Sequence, residues 1–222
     1  WDVFTGKIFN DDNYETLHYL SGSAALNHKT SEQFTNRLTY SMNDIARVYN
    51  NYKDAHDEYL GERKALNYLG TYNFDLDSSV TFGIGAEFDQ MDYNKGKVNN
   101  NTVRRQGFQT NSSHIDFQKR FTQNVYATLG ARMDEHSMSG KEHSRRATMA
   151  YLFDDKTTKL KFSYGTGFRF PTLYEAYYVY GAHPETRKDL KAEKSEGFDL
   201  GFEKFFPDLN LNLDISYFNL KY

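Results

Sequence analysis

The 222-residue sequence lacks cysteine, has no long apolar run and carries no excess of basic residues. Without cysteine, a disulfide scaffold, a thiolate metal site and a cysteine nucleophile are excluded. No stretch approaches the roughly 18 consecutive apolar residues that a membrane-spanning helix needs, so a helical membrane protein is excluded as well. The 30 Asp and Glu residues outnumber the 27 Lys and Arg residues, which argues against a protein that binds nucleic acid electrostatically.

Aromatic residues, by contrast, are abundant. They make up 17% of the sequence, although all hydrophobic residues together reach only 38% and the mean hydropathy is −0.80. Disordered chains are poor in aromatic and β-branched residues, so the composition indicates a folded protein.

Apolar and polar residues alternate along most of the sequence. Between Val80 and Phe88 every second residue is apolar, and the same pattern returns at residues 125–133, 160–164 and 209–217. A period of two is that of a β-strand with one apolar and one polar face. The pattern predicts ten strands, at about residues 14–28, 33–49, 63–75, 79–93, 108–121, 125–137, 143–153, 158–167, 193–206 and 209–222.

The predicted connections alternate in length, which indicates an up-and-down antiparallel meander. Short turns are predicted at residues 28–32, 75–78, 122–124, 154–157 and 206–208, and longer polar loops at 50–62, 94–107, 137–142 and 168–192. The strands exceed the usual ~5–6 residues of globular sheets and match the ~9–11 or more residues of a tilted strand that crosses a bilayer.

A transmembrane barrel and a soluble β-barrel or sandwich both fit this pattern. The apolar face of each strand points to the lipid in a membrane barrel and to the interior in a soluble one, and the alternation is the same in both. Strand length, the one-sided distribution of long loops and the charged polar faces favour the membrane barrel. The charged positions are Glu87, Asp89, Arg132, Asp134, Asp199 and Glu203. We expect ion pairs among Glu87, Asp89, Arg132 and Asp134 in the lumen. At strand ends we expect interfacial aromatic girdles from Phe74, Tyr93, Phe121, Phe153 and Phe205.

One segment carries a family resemblance. Ser163 to Tyr177 reads Ser-Tyr-Gly-Thr-Gly-Phe-Arg-Phe-Pro-Thr-Leu-Tyr-Glu-Ala-Tyr, and Asp-Leu-Lys-Ala-Glu-Lys-Ser at 189–195 and Phe-Asp-Leu-Gly-Phe-Glu at 198–203 follow it. These segments resemble the barrel domain of TonB-dependent outer-membrane receptors. The residues that carry the resemblance are Gly165, Gly167, Phe168, Arg169, Pro171, Leu190, Glu193, Gly201 and Glu203. Ala192 and His183 depart from it, since the family usually has proline and asparagine there.

The resemblance implies an all-β, antiparallel up-and-down transmembrane β-barrel in the bacterial outer membrane, of which the ten strands form part. Such transporters have 22 strands and a plugged lumen. The family imports scarce nutrients such as ferric siderophores, cobalamin (vitamin B12) or haem, with energy relayed by the TonB complex through a plug domain. Residues 1–222 contain neither a plug nor a TonB box, so we expect one partial barrel domain. A soluble barrel that binds a ligand, or a passive porin-like channel, remains the alternative.

The long loop at residues 168–192 is the candidate ligand site. It contains Tyr174, Tyr177, Tyr178, Tyr180 and His183. Aromatic rings and hydroxyl groups suit the capture of a ring-rich small nutrient, or they pack the loop against the rim of the barrel. The resemblance to haem receptors implies an axial iron ligand at His183, whereas the Thr-Leu-Tyr-Glu run at 172–175 is more similar to the cobalamin and siderophore branch.

Other chemistry has little support in the sequence. The loop at residues 50–58 offers oxygen donors for a calcium ion but lacks the spacing of an EF-hand. The seven histidines show no zinc-binding spacing, and neither a nucleophile elbow nor a phosphate loop occurs. We therefore expect no catalytic residue, no resident cofactor and no nucleic-acid partner, and the outer-membrane lipid as the main surroundings.

Overall fold

The computed structural model describes residues 14–50, 56–95, 102–177 and 189–222. Within these ranges the chain forms ten strands, one short α-helix and a single 3-10 turn at Pro207–Leu209. The strands and the α-helix are β1 (Tyr14–Lys29), β2 (Phe34–Asn50), β3 (His56–Asn73), β4 (Ser78–Lys95), β5 (Thr102–Arg120), β6 (Val125–His136), β7 (Gly140–Leu152), β8 (Thr158–Arg169), α1 (Leu173–Tyr177), β9 (Glu193–Phe206) and β10 (Leu211–Lys221). No helix in these ranges is long and apolar enough to cross a membrane.

The ten described strands form one antiparallel sheet in chain order, from β1 to β10. The all-β fold and the up-and-down meander are thereby confirmed. Among the described residues β1 pairs only with β2, and β10 only with β9, so the sheet does not close on itself. This agrees with the expectation that ten strands alone make no closed barrel.

Four of the connections at one end of the sheet are tight turns with the same chemical design. Ser31 Oγ, Asp75 Oδ1, Thr122 Oγ1 and Asp155 Oδ1 each accept hydrogen bonds from backbone N–H groups two or three residues later in the chain. Short polar side chains favour turns because they satisfy the backbone groups that the ladder leaves unpaired. We call the end of the sheet with these turns the turn end. The opposite end, where α1 follows β8, is the loop end.

The alternation along each strand separates two kinds of face. On the convex, outward face Ile84, Leu129 and Ile215 are 62%, 59% and 57% exposed. The residues between them point to the concave face, where Asp134 and His136 are only 3% and 4% exposed. In the described part of the chain the buried hydrophobic residues are Ala65, Phe108 and Ala176 alone. The apolar side chains thus have no protein core to bury them.

The strands extend further at the loop end than the sequence predicts. β3 begins at His56 and β5 at Thr102, so most of the predicted loops at 50–62 and 94–107 is strand. The predicted loop at 137–142 is a tight turn between β6 and β7. Polar composition suggested loops here, but ladder hydrogen bonds do not depend on side-chain polarity, and a strand that projects beyond the apolar belt can be polar on both faces.

The aromatic side chains at the turn end follow the expectation only in part. Phe74 and Phe153 lie on the outward face, in edge-to-face contact with Tyr72 and Tyr151 at centroid distances of 5.1 and 4.9 Å. Phe121 also lies outward, 5.8 Å from the Lys119 ammonium. Phe205 pairs with Asn212 in register with Glu203 and Asp214, which places it on the concave face. The side chain of Tyr93 lies outside the described residues.

Close packing of Phe82 on Gly70 gives a test of the outward face. A Cβ atom at Gly70 would lie 2.6 Å from Phe82 Cζ, whereas one at Gly22 would meet only Met42 Cγ, at 3.8 Å. We expect Gly70→Ala to destabilise the complete protein by about 1–3 kcal/mol through overpacking, and Gly22→Ala to leave its stability unchanged or slightly higher. Urea unfolding in lipid vesicles measures both; equal midpoints for the two variants would contradict the packing.

Candidate functional site

The concave face holds a groove of about 970 Å³ at the loop end. Residues of β1 to β8 line its wall, and α1 lies over it, in the segment that follows β8. The side chains that line it are of two kinds, ion pairs on the strands and aromatic rings beside α1.

Two arginine–carboxylate pairs lie in the floor of the groove. The Arg63 guanidinium donates from Nε and Nη2 to the two oxygens of Asp89, at 2.5 and 3.2 Å. Arg132 donates from Nε and Nη2 to Asp134, at 2.7 and 2.6 Å. Both pairs are bidentate, which is the geometry in which arginine binds a carboxylate most strongly. The Glu87 carboxylate lies 3.7 Å from Arg63 Nε. The expected pairing of Arg132 with Asp134 is thus present, whereas the partner of Asp89 and Glu87 is Arg63, which the sequence pattern did not indicate.

An aromatic cluster closes the loop end of the groove. The His136 ring stacks on Phe170 and meets Phe108 edge-on, each at a centroid distance of 4.6 Å. Phe170 contacts Phe168 at 5.1 Å, and Phe108 contacts Tyr177 of α1 at 5.7 Å. His136 Nδ1 accepts hydrogen bonds from two backbone N–H groups of the turn that follows β6. That nitrogen therefore carries no proton, and the ring is neutral in this arrangement.

The chain enters the aromatic cluster after β8, because β8 separates from β7 near the loop end. The two strands pair only from Arg146 opposite Gly165 to Leu152 opposite Lys159. The last residues of β8 bind β9 alone, up to Arg169 opposite Glu193. Because these residues are not paired with β7, the chain can turn towards the concave face after Arg169. This turn brings Phe170 into contact with His136.

Arg169 holds this inward turn. Its guanidinium donates two hydrogen bonds to Glu193 at 3.0 Å and two to Glu175 at 2.9 and 3.1 Å. Two carboxylates, one on β9 and one on α1, are thereby joined through one planar cation.

α1 begins with a capping box. Thr172 Oγ1 accepts from the Glu175 backbone N–H at 3.2 Å, and the Glu175 carboxylate accepts from the Thr172 backbone N–H at 2.8 Å. This reciprocal pair satisfies N–H groups that a helix start leaves without partners. Hydrogen bonds from Arg169 and from the Thr172 backbone lower the pKa of Glu175 to about 2. Ala176 on the next position is 1% exposed, so α1 is firmly seated.

Two of the five residues predicted for the ligand site lie in the described part of the chain, and three do not. Tyr174 lines the groove, and Tyr177 lies in the aromatic cluster. Tyr178, Tyr180 and His183 lie outside the described residues, as do residues 51–55 of the suggested calcium loop. In the described ranges, no group of three or more histidines and carboxylates could hold a metal ion.

The motif residues divide into two groups by position. Gly167, Phe168 and Pro171 border the groove, while Arg169 and Glu193 form the junction at its rim. Gly201 and Glu203 lie far down β9, where Glu203 pairs with Lys159 and Lys161 and the Lys161 side chain crosses Gly201. Gly165 ends the β7 pairing, and Leu190 precedes β9. The loop-end residues shape the site, and the others stabilise the wall.

Sequence reasoning missed Phe108, His136 and Phe170 as site residues. One signal was available: Arg132, Asp134 and His136 occupy alternate positions of one strand and therefore share its concave face. The contact with Phe170 depends on the inward turn after β8, which no pattern in the sequence indicates.

Comparison with known proteins identifies the family. Residues 2–222 match the family described as TonB dependent receptor-like, beta-barrel. The chain belongs to this family. Its location is therefore the bacterial outer membrane, its outward apolar face meets lipid, and its family is one of receptors rather than enzymes.

Solved structures support the same fold at low sequence identity. The alcaligin outer-membrane receptor FauA from Bordetella pertussis is 14% identical, with a TM-score of 0.72 over 93% of this chain and 37% of that one. The pyoverdine receptor FpvA from Pseudomonas aeruginosa is 14% identical, with a TM-score of 0.68 over 91% and 32%. The RagAB peptide importer is 15% identical, with a TM-score of 0.64 over 94% and 30%.

The chain spans about a third of the length of these structures. No curated protein sequence matches it significantly.

Acid should release α1 through Glu175. The carboxylate has a pKa of about 2 when docked, against an ordinary value of 4.5. Its contribution to docking is therefore complete above about pH 4.5 and declines as the pH falls towards 2. Hydrogen exchange of residues 173–177, corrected for the intrinsic rate at each pH, should show constant protection from pH 7 to 5 and a decline below 4.5.

The matched variant is Glu175→Gln, which removes the charge and retains the side-chain shape. We expect lower protection at pH 7 and a shallower dependence on acid, which then reflects Glu193 alone. A fall in the wild-type protein between pH 7 and 5, or an unchanged acid dependence in the variant, would contradict this role of Glu175.

Proposed function

We propose that the chain forms part of the barrel of an active importer for a scarce, ring-bearing nutrient, such as a ferric siderophore, cobalamin or haem. The observation that carries the proposal is the groove at the loop end, where aromatic rings and charged pairs line one concave surface. Energy would come from the TonB complex through a plug domain, as in the family as a whole.

The groove suits a ligand that combines rings with polar groups. Tyr174 is 48% exposed and borders the groove, so a ligand in the groove would meet its ring. Aromatic stacking adds about 0.5–1.5 kcal/mol beyond the area that is buried. Arg63 and Arg132 lie below it, and their guanidinium groups can donate to carboxylate, catecholate or hydroxamate oxygens. A volume of about 970 Å³ lies at the upper end of the range for small-molecule sites.

The position of the groove supports import rather than simple surface binding. The loop end faces the outside in outer-membrane barrels, whose turns on the periplasmic side are short. A ligand that enters there meets the aromatic cluster first and the arginine pairs next, on the wall of the lumen. The polar concave face below them offers hydrogen-bonding groups to a plug domain, which in such transporters fills the lumen.

A binding screen tests this proposal. The complete protein that carries this chain is titrated with ferric siderophores, cobalamin, haem and a mixture of short peptides. We expect one of the ring-bearing nutrients to bind, and Tyr174→Ala to weaken that binding up to about tenfold, which corresponds to 1.4 kcal/mol. Tyr126→Ala is the matched control, since Tyr126 lies at the turn end near Arg120. Binding of peptides alone would contradict the ligand class.

Two further measurements separate the alternatives. Uptake of the bound nutrient into cells should stop when TonB is deleted, whereas a passive porin-like channel would continue to conduct. If haem is the ligand, His183→Ala should weaken its binding and change its absorption spectrum. Unchanged haem binding in that variant would exclude His183 as an axial ligand.

A further inference from the structure

Phe170 covers the ring of His136 at the edge of the groove. The two rings stack at a centroid distance of 4.6 Å with an interplanar angle of 19°. Both residues border the groove, yet His136 is only 4% exposed. A flat ring surface beside the groove is thus occupied by a side chain of the protein itself.

The sheet, and not Phe170, holds the His136 ring in place. Its Nδ1 atom accepts from two backbone N–H groups of the turn after β6, at 3.3 and 3.1 Å. That turn is bound to β5, because the Ser137 backbone N–H donates to the Gln109 carbonyl at 2.9 Å. Phe108 of β5 contacts the His136 ring edge-on. We call His136 and Phe108 the ring platform, and its contacts with the sheet would remain if Phe170 moved away.

Phe170, by contrast, lies on a link that belongs to neither a strand nor a helix. β8 ends at Arg169, and α1 begins at Leu173. Displacement of the Phe170 ring therefore breaks no pair of the ladder and no hydrogen bond of α1. Among the described residues, its other ring contact is with Phe168, at 5.1 Å. The ring platform is thus fixed, whereas the ring that covers it can be exchanged.

A planar ring is the chemical group that fits the position of Phe170. A phenyl ring already stacks there in a nearly parallel arrangement. The adjoining groove of about 970 Å³ leaves room for the rest of a ligand. Arg132 and Asp134 precede His136 on the same face of β6. A ligand with its ring on the ring platform would therefore place its polar groups beside charged side chains.

We propose that the ring platform is the subsite for a planar aromatic ring of the imported nutrient, and that Phe170 competes with the nutrient for this subsite. The inference rests on the proposed function, since it assigns one part of the same groove. A ligand that must displace a side chain binds more weakly, because only the fraction of molecules with an open subsite can accept it. Compounds without a ring gain nothing from displacing Phe170, so the competition selects for ring-bearing ligands.

This competition predicts a change of affinity whose direction a purely structural role of Phe170 does not share. Phe170→Ala leaves the ring platform open, so it should tighten the binding of a ring-bearing ligand about threefold to tenfold, the value of one aromatic stacking contact. Phe168→Ala is the matched control. It removes a ring from the same cluster without uncovering His136, and it should not tighten binding.

A second variant tests the ring platform itself. His136→Asn removes the ring and keeps a side-chain oxygen that can accept from the backbone N–H groups of the turn. We expect it to weaken binding of the same ligand about threefold to tenfold. In the double variant with Phe170→Ala, the gain in affinity should disappear, because the two substitutions act on one contact.

The experiment titrates the complete protein and each variant by calorimetry with matched probes. The probes with planar rings are a ferric tris-catecholate, cobalamin, haem and a short peptide that contains phenylalanine. The probes without rings are a ferric tris-hydroxamate and an alanine peptide of the same length. Heat-modifiable migration in electrophoresis checks that every variant is folded. We expect Phe170→Ala to tighten binding of ring-bearing probes alone.

The outcomes separate this inference from the proposed function. Tighter binding of a siderophore, cobalamin or haem by Phe170→Ala supports both, whereas a gain confined to the phenylalanine peptide supports the subsite and contradicts the nutrient class. If a nutrient binds but Phe170→Ala leaves its affinity unchanged or lower, the subsite is wrong and the proposed function stands. A gain for ring-free probes, or one that persists with His136→Asn, overturns the subsite in the same way. Binding of no ring-bearing probe to any variant would overturn both.

Discussion

The structure depends on one constraint: every backbone N–H and C=O group in the sheet must pair with a neighbouring strand. In hydrocarbon an unpaired group costs several kcal/mol, so a strand crosses a membrane only within a hydrogen-bonded ladder. Once the ladder is fixed, successive side chains must point to opposite faces of the sheet, because a paired strand cannot rotate about its own axis. Apolar residues then face lipid and polar residues face the lumen. The small number of buried hydrophobic side chains is a direct consequence, because lipid takes the place of a protein core.

The same constraint explains where the candidate site forms. A regular wall presents only alternating side chains, and it cannot by itself build a cluster such as Phe108, His136 and Phe170. The cluster becomes possible where β8 leaves β7 and the chain turns into the lumen. That departure leaves fewer ladder bonds, and Arg169 offsets the loss by joining Glu175 on α1 to Glu193 on β9. The site thus occurs at the point where the ladder is interrupted and charged hydrogen bonds replace it.

Much of the fold could be predicted from the sequence, because alternation is a local signal. The ten strands, their order and the lumenal positions of Arg132 and Asp134 all follow from a period of two. The extension of β3 to His56 could not be predicted in this way, since outside the apolar belt neither face has to be hydrophobic. Thr172 and Glu175 carry the sequence pattern of a capping box. Their link to Arg169 depends on the three-dimensional turn and is not visible in the spacing alone.

The separation of the two faces can be measured most directly along β6. Single spin labels at each residue from 125 to 136 of the complete protein in lipid bilayers report exposure to oxygen, which concentrates in lipid, and to a water-soluble nickel complex. We predict that labels at the odd-numbered positions, such as Leu129 and Ala131, respond mainly to oxygen. Labels at the even-numbered positions, such as Thr128 and Arg132, should respond mainly to the nickel complex or to neither reagent. Exposure without a period of two, or with the two sets exchanged, would contradict a barrel wall with lipid on its apolar face.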